Sequence, residues 1–222
     1  MKSRQEIKAL AKDAMRAQRG TSILLDIVVA LVAIVLLLPV ILVLIFQGAG
    51  LLSWILYVVV ICVLVVIAVN MLGEFIKIYN REEASVAAVF TELKVNFLRK
   101  LGGSWWVALW YLLWSMLFVI PGIIKFYSYF FTEYILADCP NVTARQAIKI
   151  SMRITTGHKW EIFVFVLSFI GWHMLSAFTL GILGLVFVYP YQNISIAGLY
   201  VEMRDEALAS GRITRADLGW DA

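Results

Sequence analysis

Lys125 and Glu133 stand in otherwise apolar surroundings, where an ionised side chain is costly unless it is paired, hydrated or able to reach the membrane surface. With Tyr127, Tyr129 and Tyr134 they could line a polar cavity between helices. The plainer alternative sends the Lys125 ammonium out to the external interface and turns Glu133 toward a cytoplasmic-side cleft or a backbone donor. His173 lies between Trp172 and Met174 with no acid or second histidine a turn away, so a neutral ring bonded to a neighbouring helix is expected over a proton relay. The run Gly157-His158-Lys159-Trp160-Glu161 combines a bend, an interfacial aromatic ring and a cation suited to a phosphate. A hydrolytic centre would need Asp138, His158 and Glu161 to converge at one interface.

Other chemistries find no support. The two histidines and two cysteines are scattered, which argues against a zinc site, and no metal or cofactor is expected. Gly102-Gly103 lacks the strand and lysine-bearing loop of a nucleotide site, and no nucleophile-elbow motif is present. No residue is assigned a catalytic role. Cys62 falls in an apolar run and Cys139 in a polar connection, so two free thiols are expected.

The elements that must position these residues are membrane helices. Apolar residues make up 62% of the 222 positions and charged ones 15%, a balance that a soluble domain could not bury. Six apolar runs are expected to span, over about 23–46, 51–73, 104–120, 123–138, 160–178 and 183–203. The first follows a basic segment but is too long for a secretory signal and lacks a small-x-small cleavage site, so it is read as retained. Gln47 to Gly50, Pro121-Gly122 and Thr179 to Ile182 supply the reversals, giving an all-α membrane protein of three hairpins. The fourth run is the shortest and holds the Lys125 and Glu133 group.

Lysine and arginine sort by side. They precede the first run, separate the second from the third and the fourth from the fifth, and leave only Lys125 for the opposite turns. Both termini, including a tail over 209–222, are therefore expected in the cytoplasm.

Each hairpin is preceded by a segment with helical apolar spacing but too polar to span, over about 3–19, 84–101 and 143–156. Ser3 with Glu6 fits a capping box, and Thr143 is a candidate cap. Arg4-Gln5-Glu6-Ile7-Lys8 echoes Arg145-Gln146-Ala147-Ile148-Lys149, so the chain reads as three copies of an interfacial helix followed by a hairpin. Laid on a membrane, such helices would set Arg4, Lys8, Lys12, Arg145, Lys149, Arg153, His158, Lys159 and Trp160 against anionic headgroups. The net charge of +4 therefore points to lipids and not to nucleic acid, because the cations form no continuous face. Trp105, Trp106, Trp110 and Trp114 form a helical stripe suited to lipid or to a neighbouring helix.

Between Pro121 and Tyr191 the motifs Pro121-Gly122-Ile123-Ile124-Lys125, Tyr127-Ser128-Tyr129, Tyr134-Ile135-Leu136-Ala137-Asp138 and Gly157-His158-Lys159-Trp160 occur in order. Ser168-Phe169-Ile170-Gly171-Trp172, Thr179-Leu180-Gly181 and Pro190-Tyr191 follow. With these the chain resembles the DUF975 family of bacterial integral membrane proteins. The resemblance implies a multi-pass protein of a bacterial plasma membrane and no particular activity. Glu133 stands where that family is expected to carry an uncharged residue, so no role carries over to it. The leading functional expectation is a non-enzymatic module that binds lipid, a small amphiphile, or another membrane protein, a second copy of the chain included. The alternatives are a transporter or export component, and an enzyme acting on lipid-linked substrates.

Overall fold

The computed structural model describes residues 2–46, 50–117 and 119–220; the expected turn residues Gln47, Gly48 and Ala49 and the last two positions of the expected tail lie outside them. Among the described residues the chain is all-helical, without strands. Its helices are α1 (Arg4–Ala17), α2 (Arg19–Phe46), α3 (Leu51–Tyr79), α4 (Val86–Thr91), α5 (Phe97–Leu117) and α6 (Val119–Tyr129). Then come α7 (Thr132–Asp138), α8 (Ala144–Thr155), α9 (Lys159–Leu167), α10 (Ile170–Phe178) and α11 (Tyr189–Ala209). A π-helical turn, Gly184–Val188, leads into α11.

Among the described residues three segments are long and apolar enough to cross a membrane: Arg19–Val43, Leu51–Tyr79 and Lys159–Phe178. The last comprises α9 and α10, which meet at Ser168 and Phe169. Over 123–138, where one span is expected, the chain forms two helices, α6 and α7, separated at Phe130 and Phe131. Side chains of α8 satisfy that break. Ser151 Oγ accepts from the Phe131 amide at 3.2 Å and donates to the Ser128 carbonyl at 2.9 Å, while Thr155 Oγ1 donates to the same carbonyl at 3.3 Å. Backbone groups freed by ending one helix are thus paired inside the protein.

The first and third polar helices form as the spacing predicts. Both carry capping boxes, Ser3 with Glu6 and Thr143 with Gln146. Their apolar faces turn into the protein, however. Ile7, Ala11, Ala14 and Met15 of α1 are buried against α11 and α3, and Ala147, Ile148, Ile150 and Ile154 of α8 are buried among α5, α6, α7 and α11. The second helix, expected over 84–101, is broken. After α4 a 3-10 turn over Glu92–Lys94 gives way to extended Val95 and left-handed Asn96 (φ 54°), a conformation that asparagine tolerates well, and α5 begins at Phe97.

That break swings two cations of the expected basic connection inward. Arg99 donates to the carbonyls of Leu136, Cys139 and Val142 at 2.6, 3.1 and 2.7 Å, closing the C-terminal end of α7. Lys100, only 4% exposed, donates to Asn70 Oδ1, whose amide in turn donates to the Val89 carbonyl at 2.8 Å. The segment read as a tail also docks: Ile213 and Leu218 are buried, and Arg212 donates to the carbonyl of Thr156 at 3.0 Å. Close packing joins α3 to α11, where a Cβ on Gly198 would collide with the ring of Tyr79.

Candidate functional site

Trp106, Trp110 and Trp114 recur one helical turn apart on α5, so their rings form one wall. α6 and α8 close the other sides and deliver three cations to it. Lys125 Nζ lies 4.9 Å from the centre of the Trp114 ring, and the Arg145 guanidinium lies 5.5 Å from the centre of the Trp106 ring. Lys149, Tyr129, Ile148 and Met152 complete an open groove of about 440 Å³. The rings offer flat apolar contact for hydrocarbon, and the flanking cations offer charge to an anion.

The residues expected to share one polar cavity are divided among three surfaces. Lys125 belongs to the tryptophan groove, with Tyr129 in its wall. Glu133, Tyr134 and the other side of Tyr129 line a second groove, with Ser104, Tyr111, Phe126 and Phe130, enclosing about 370 Å³. Tyr127 faces a third, apolar surface with Ile123, Ile124, Lys159, Trp160 and Phe163. No ion pair joins Lys125 to Glu133 among the described residues.

Lys125 was expected apart from the other cations, yet it shares its groove with Arg145 and Lys149 and is close enough to Lys159 for their charges to repel. Length explains the placement. The eleven residues of α6 rise only about 16 Å, and Lys125 lies past its midpoint, toward α8.

The expected headgroup cations also divide. Arg4, Lys12, Arg145 and Lys149 are exposed. Lys8 folds back onto the junction of α9 and α10, its ammonium 4.1 Å from the centre of the Phe169 ring and bonded to Ser168 Oγ. Burial there and the nearby Arg4 charge hold the Lys8 pKa below the usual lysine value. Arg153 pairs with Asp217 at 3.4 Å. His158 bridges two carboxylates, Glu161 at 3.1 Å and Glu206 at 3.3 Å, and Arg212 holds the same Glu206 oxygen at 3.1 Å. Trp160 is 72% exposed, its ring tilted against Phe163.

The hydrolytic cluster of Asp138, His158 and Glu161 is not assembled. Asp138 is held by Arg204 at 2.7 Å and by the Tyr200 hydroxyl at 2.8 Å, while His158 and Glu161 belong to the separate Glu206 and Arg212 chain. Among the described residues no group of three potential metal ligands converges.

A polar chamber of about 170 Å³ lies where α3, the 3-10 turn after α4, α5 and α7 meet. Glu74, 2% exposed, accepts from Lys77 at 2.7 Å and from the Ser85 amide at 2.8 Å. Burial pushes the Lys100 pKa down against the opposing pull of Glu92, 3.9 Å away, with Arg99 adding to the depression. The one sequence sign of this chamber is Asn70, a strongly polar side chain late in a long apolar run. Ser104, which lines the groove of Glu133, carried no sign at all.

Residues 103–207 match the family model described as Protein of unknown function (DUF975), a stretch that takes in the tryptophan wall, α6 and α8. No curated protein and no solved structure matches the chain.

Proposed function

We propose, for a chain that belongs to the DUF975 family through residues 103–207, that it is a non-enzymatic membrane protein whose tryptophan groove binds an anionic amphiphile. The ligand class is a phosphate-bearing headgroup with an acyl or prenyl tail. The observation that carries this reading is the convergence of Lys125 from α6 with Arg145 and Lys149 from α8 on the wall formed by Trp106, Trp110 and Trp114. Tryptophan belongs at the level of lipid headgroups, and cations there gain from anionic lipid by about 1 kcal/mol each.

Depth supports the same assignment. Tyr127 packs on Phe163, their ring centres 5.9 Å apart, so the last turn of α6 stands level with the first turns of α9. From Phe163 the chain continues through α10 to Phe178, whereas α6 reaches only back to Val119. We therefore read α5 and α6 as a pair that enters part of the bilayer, between full crossings made by α2, α3, the α9 and α10 pair, and the π-turn with α11. Lys125 then shares a leaflet with Arg145, Lys149 and Lys159, on the cytoplasmic side of a bacterial plasma membrane, with both termini on that side.

The test is lipid selectivity in nanodiscs of mixed phosphatidylglycerol and phosphatidylcholine. Wild-type protein should retain phosphatidylglycerol preferentially on release into native mass spectrometry. The triple substitution Lys125→Gln, Arg145→Gln, Lys149→Gln should reduce that preference at least tenfold. An unchanged preference in a folded triple variant overturns the reading. Transport draws support from the interruption of the α9 and α10 span, and flux in proteoliposomes would be its own assay.

A further inference from the structure

The groove on the other side of α5 and α6 has the opposite chemistry. Glu133 presents a carboxylate among the rings of Tyr111, Phe126, Tyr129 and Phe130, and no lysine or arginine lines the space. Glu133 makes no ion pair among the described residues. Ser104, 8% exposed, lines the same groove, and its hydroxyl is the one polar side-chain group the groove sets close to Glu133. A carboxylate in such a place is costly unless something offsets its charge.

A place in the first turn of α7 suits a negative charge at Glu133 but supplies it with no counter-ion. Glu133 caps nothing, since α7 starts from Phe131 without a side-chain cap, and the helix break beside it is already closed by Ser151. The aromatic rings present π-faces, which attract cations, and the lining exposes far more apolar than polar surface. At about 370 Å³ the groove falls within the range of small-molecule sites.

From this the geometry points to a second binding site, specific for an apolar organic cation, with Glu133 as counter-ion and the rings of Phe126, Tyr129 and Phe130 as its walls. The ligand class is a single positive charge surrounded by hydrocarbon, a quaternary ammonium or phosphonium. Such a cation replaces water around the carboxylate without needing hydrogen-bond donors, and the rings supply the remaining stabilisation. Tyr129 separates this site from the anionic groove, so the two select ligands of opposite charge through opposite sides of one wall. The site does not depend on the anionic groove being occupied.

The probe is radiolabelled tetraphenylphosphonium, with full-length protein in maltoside micelles and binding followed by scintillation proximity. Wild-type protein should bind it saturably. Glu133→Gln should weaken binding at least tenfold, and Glu133→Asp should keep part of the affinity. Phe126→Leu, which leaves the carboxylate in place, should weaken binding several-fold and serves as the independent variant should Glu133→Gln fail to fold. Absence of saturable binding to wild type overturns the proposal. So does a folded Glu133→Gln protein that binds as tightly as wild type, or a Phe126→Leu protein with unaltered affinity.

Discussion

Arg204 Nη1 lies 2.7 Å from Asp138 Oδ2, tying the C-terminal half of α11 to the last residue of α7. Tyr200 donates to the same carboxylate oxygen at 2.8 Å, and Trp220 stacks on the guanidinium with its ring centre 4.9 Å away. Both partners of the ion pair are largely shielded from solvent, with side chains 10% and 17% exposed. Removing one leaves the other's charge stranded, whereas removing both does not. Arg204→Met should therefore cost about 3 kcal/mol of stability. Adding Asp138→Asn should recover part of that loss, as read from thermal unfolding in micelles.

Contact between Gly198 and Tyr79 sets the spacing of α3 and α11. A methyl group at Gly198 would run into the tyrosine ring, so Gly198→Ala should destabilise by about 1–3 kcal/mol. Tyr79→Leu in the same chain opens the space and should restore most of the melting temperature. Equal melting temperatures for wild type and the single variant would show that the helices can slide apart freely.

Lys8 and Lys12 lie on the same row of α1, but only Lys8 reaches across to Ser168 and Phe169. Lys8→Gln should lower stability by about 1 kcal/mol through the lost cation–π contact. Lys12→Gln should leave the melting temperature unchanged. Were the row simply a headgroup-facing surface, the two variants would behave alike in micelles.

Asp217 fastens the C-terminal segment. Its carboxylate accepts from the Thr214 amide at 2.9 Å and from the Thr214 hydroxyl at 3.0 Å, and it pairs with Arg153. The Thr214 backbone bond, then its hydroxyl and the Arg153 charge, hold the Asp217 pKa below the ordinary value of 3.8. A carboxylate with a depressed folded pKa gives its full contribution above the unfolded value. The contribution fades as pH falls through the folded one. Hydrogen exchange of the amides over 214–218 should therefore be slow at neutral pH and accelerate only below about pH 4, relative to intrinsic rates. Asp217→Asn should produce the fast exchange at neutral pH.

The elements that local chemistry controls were legible in the sequence. The caps at Ser3 and Thr143, the long runs that become α2 and α3, and the tryptophan stripe all depend on neighbours within a few positions. What was hidden depends on partners far along the chain. The apolar faces of α1 and α8 have the periodicity of membrane-surface helices, and only the identity of what covers them, α11 and α3 for one and α5 to α7 with α11 for the other, distinguishes the two cases. The split between α6 and α7 is likewise invisible in a run from Ile123 to Ala137, because the hydroxyls that pay for it belong to Ser151 and Thr155. For the candidate site, the cations and the tryptophans were both recognisable, but their meeting was not. Lys125 carried the sign of an outlier in a charge count, and the groove sets it in one lining with Arg145 and Lys149.

Lys125 beside Arg145 and Lys149 also bears on how the chain is made. No lysine or arginine occurs over residues 20–76 or 160–203, the stretches that hold the crossing segments and the connections between them. On the topology proposed above, with Lys125 retained among its neighbours, the nascent protein would reach its final state without carrying a basic side chain of these stretches through the translocation channel. Insertion would then require no work against the membrane potential, and moving Lys125 to position 120 or adding a lysine after Gly50 would impose that work for the first time.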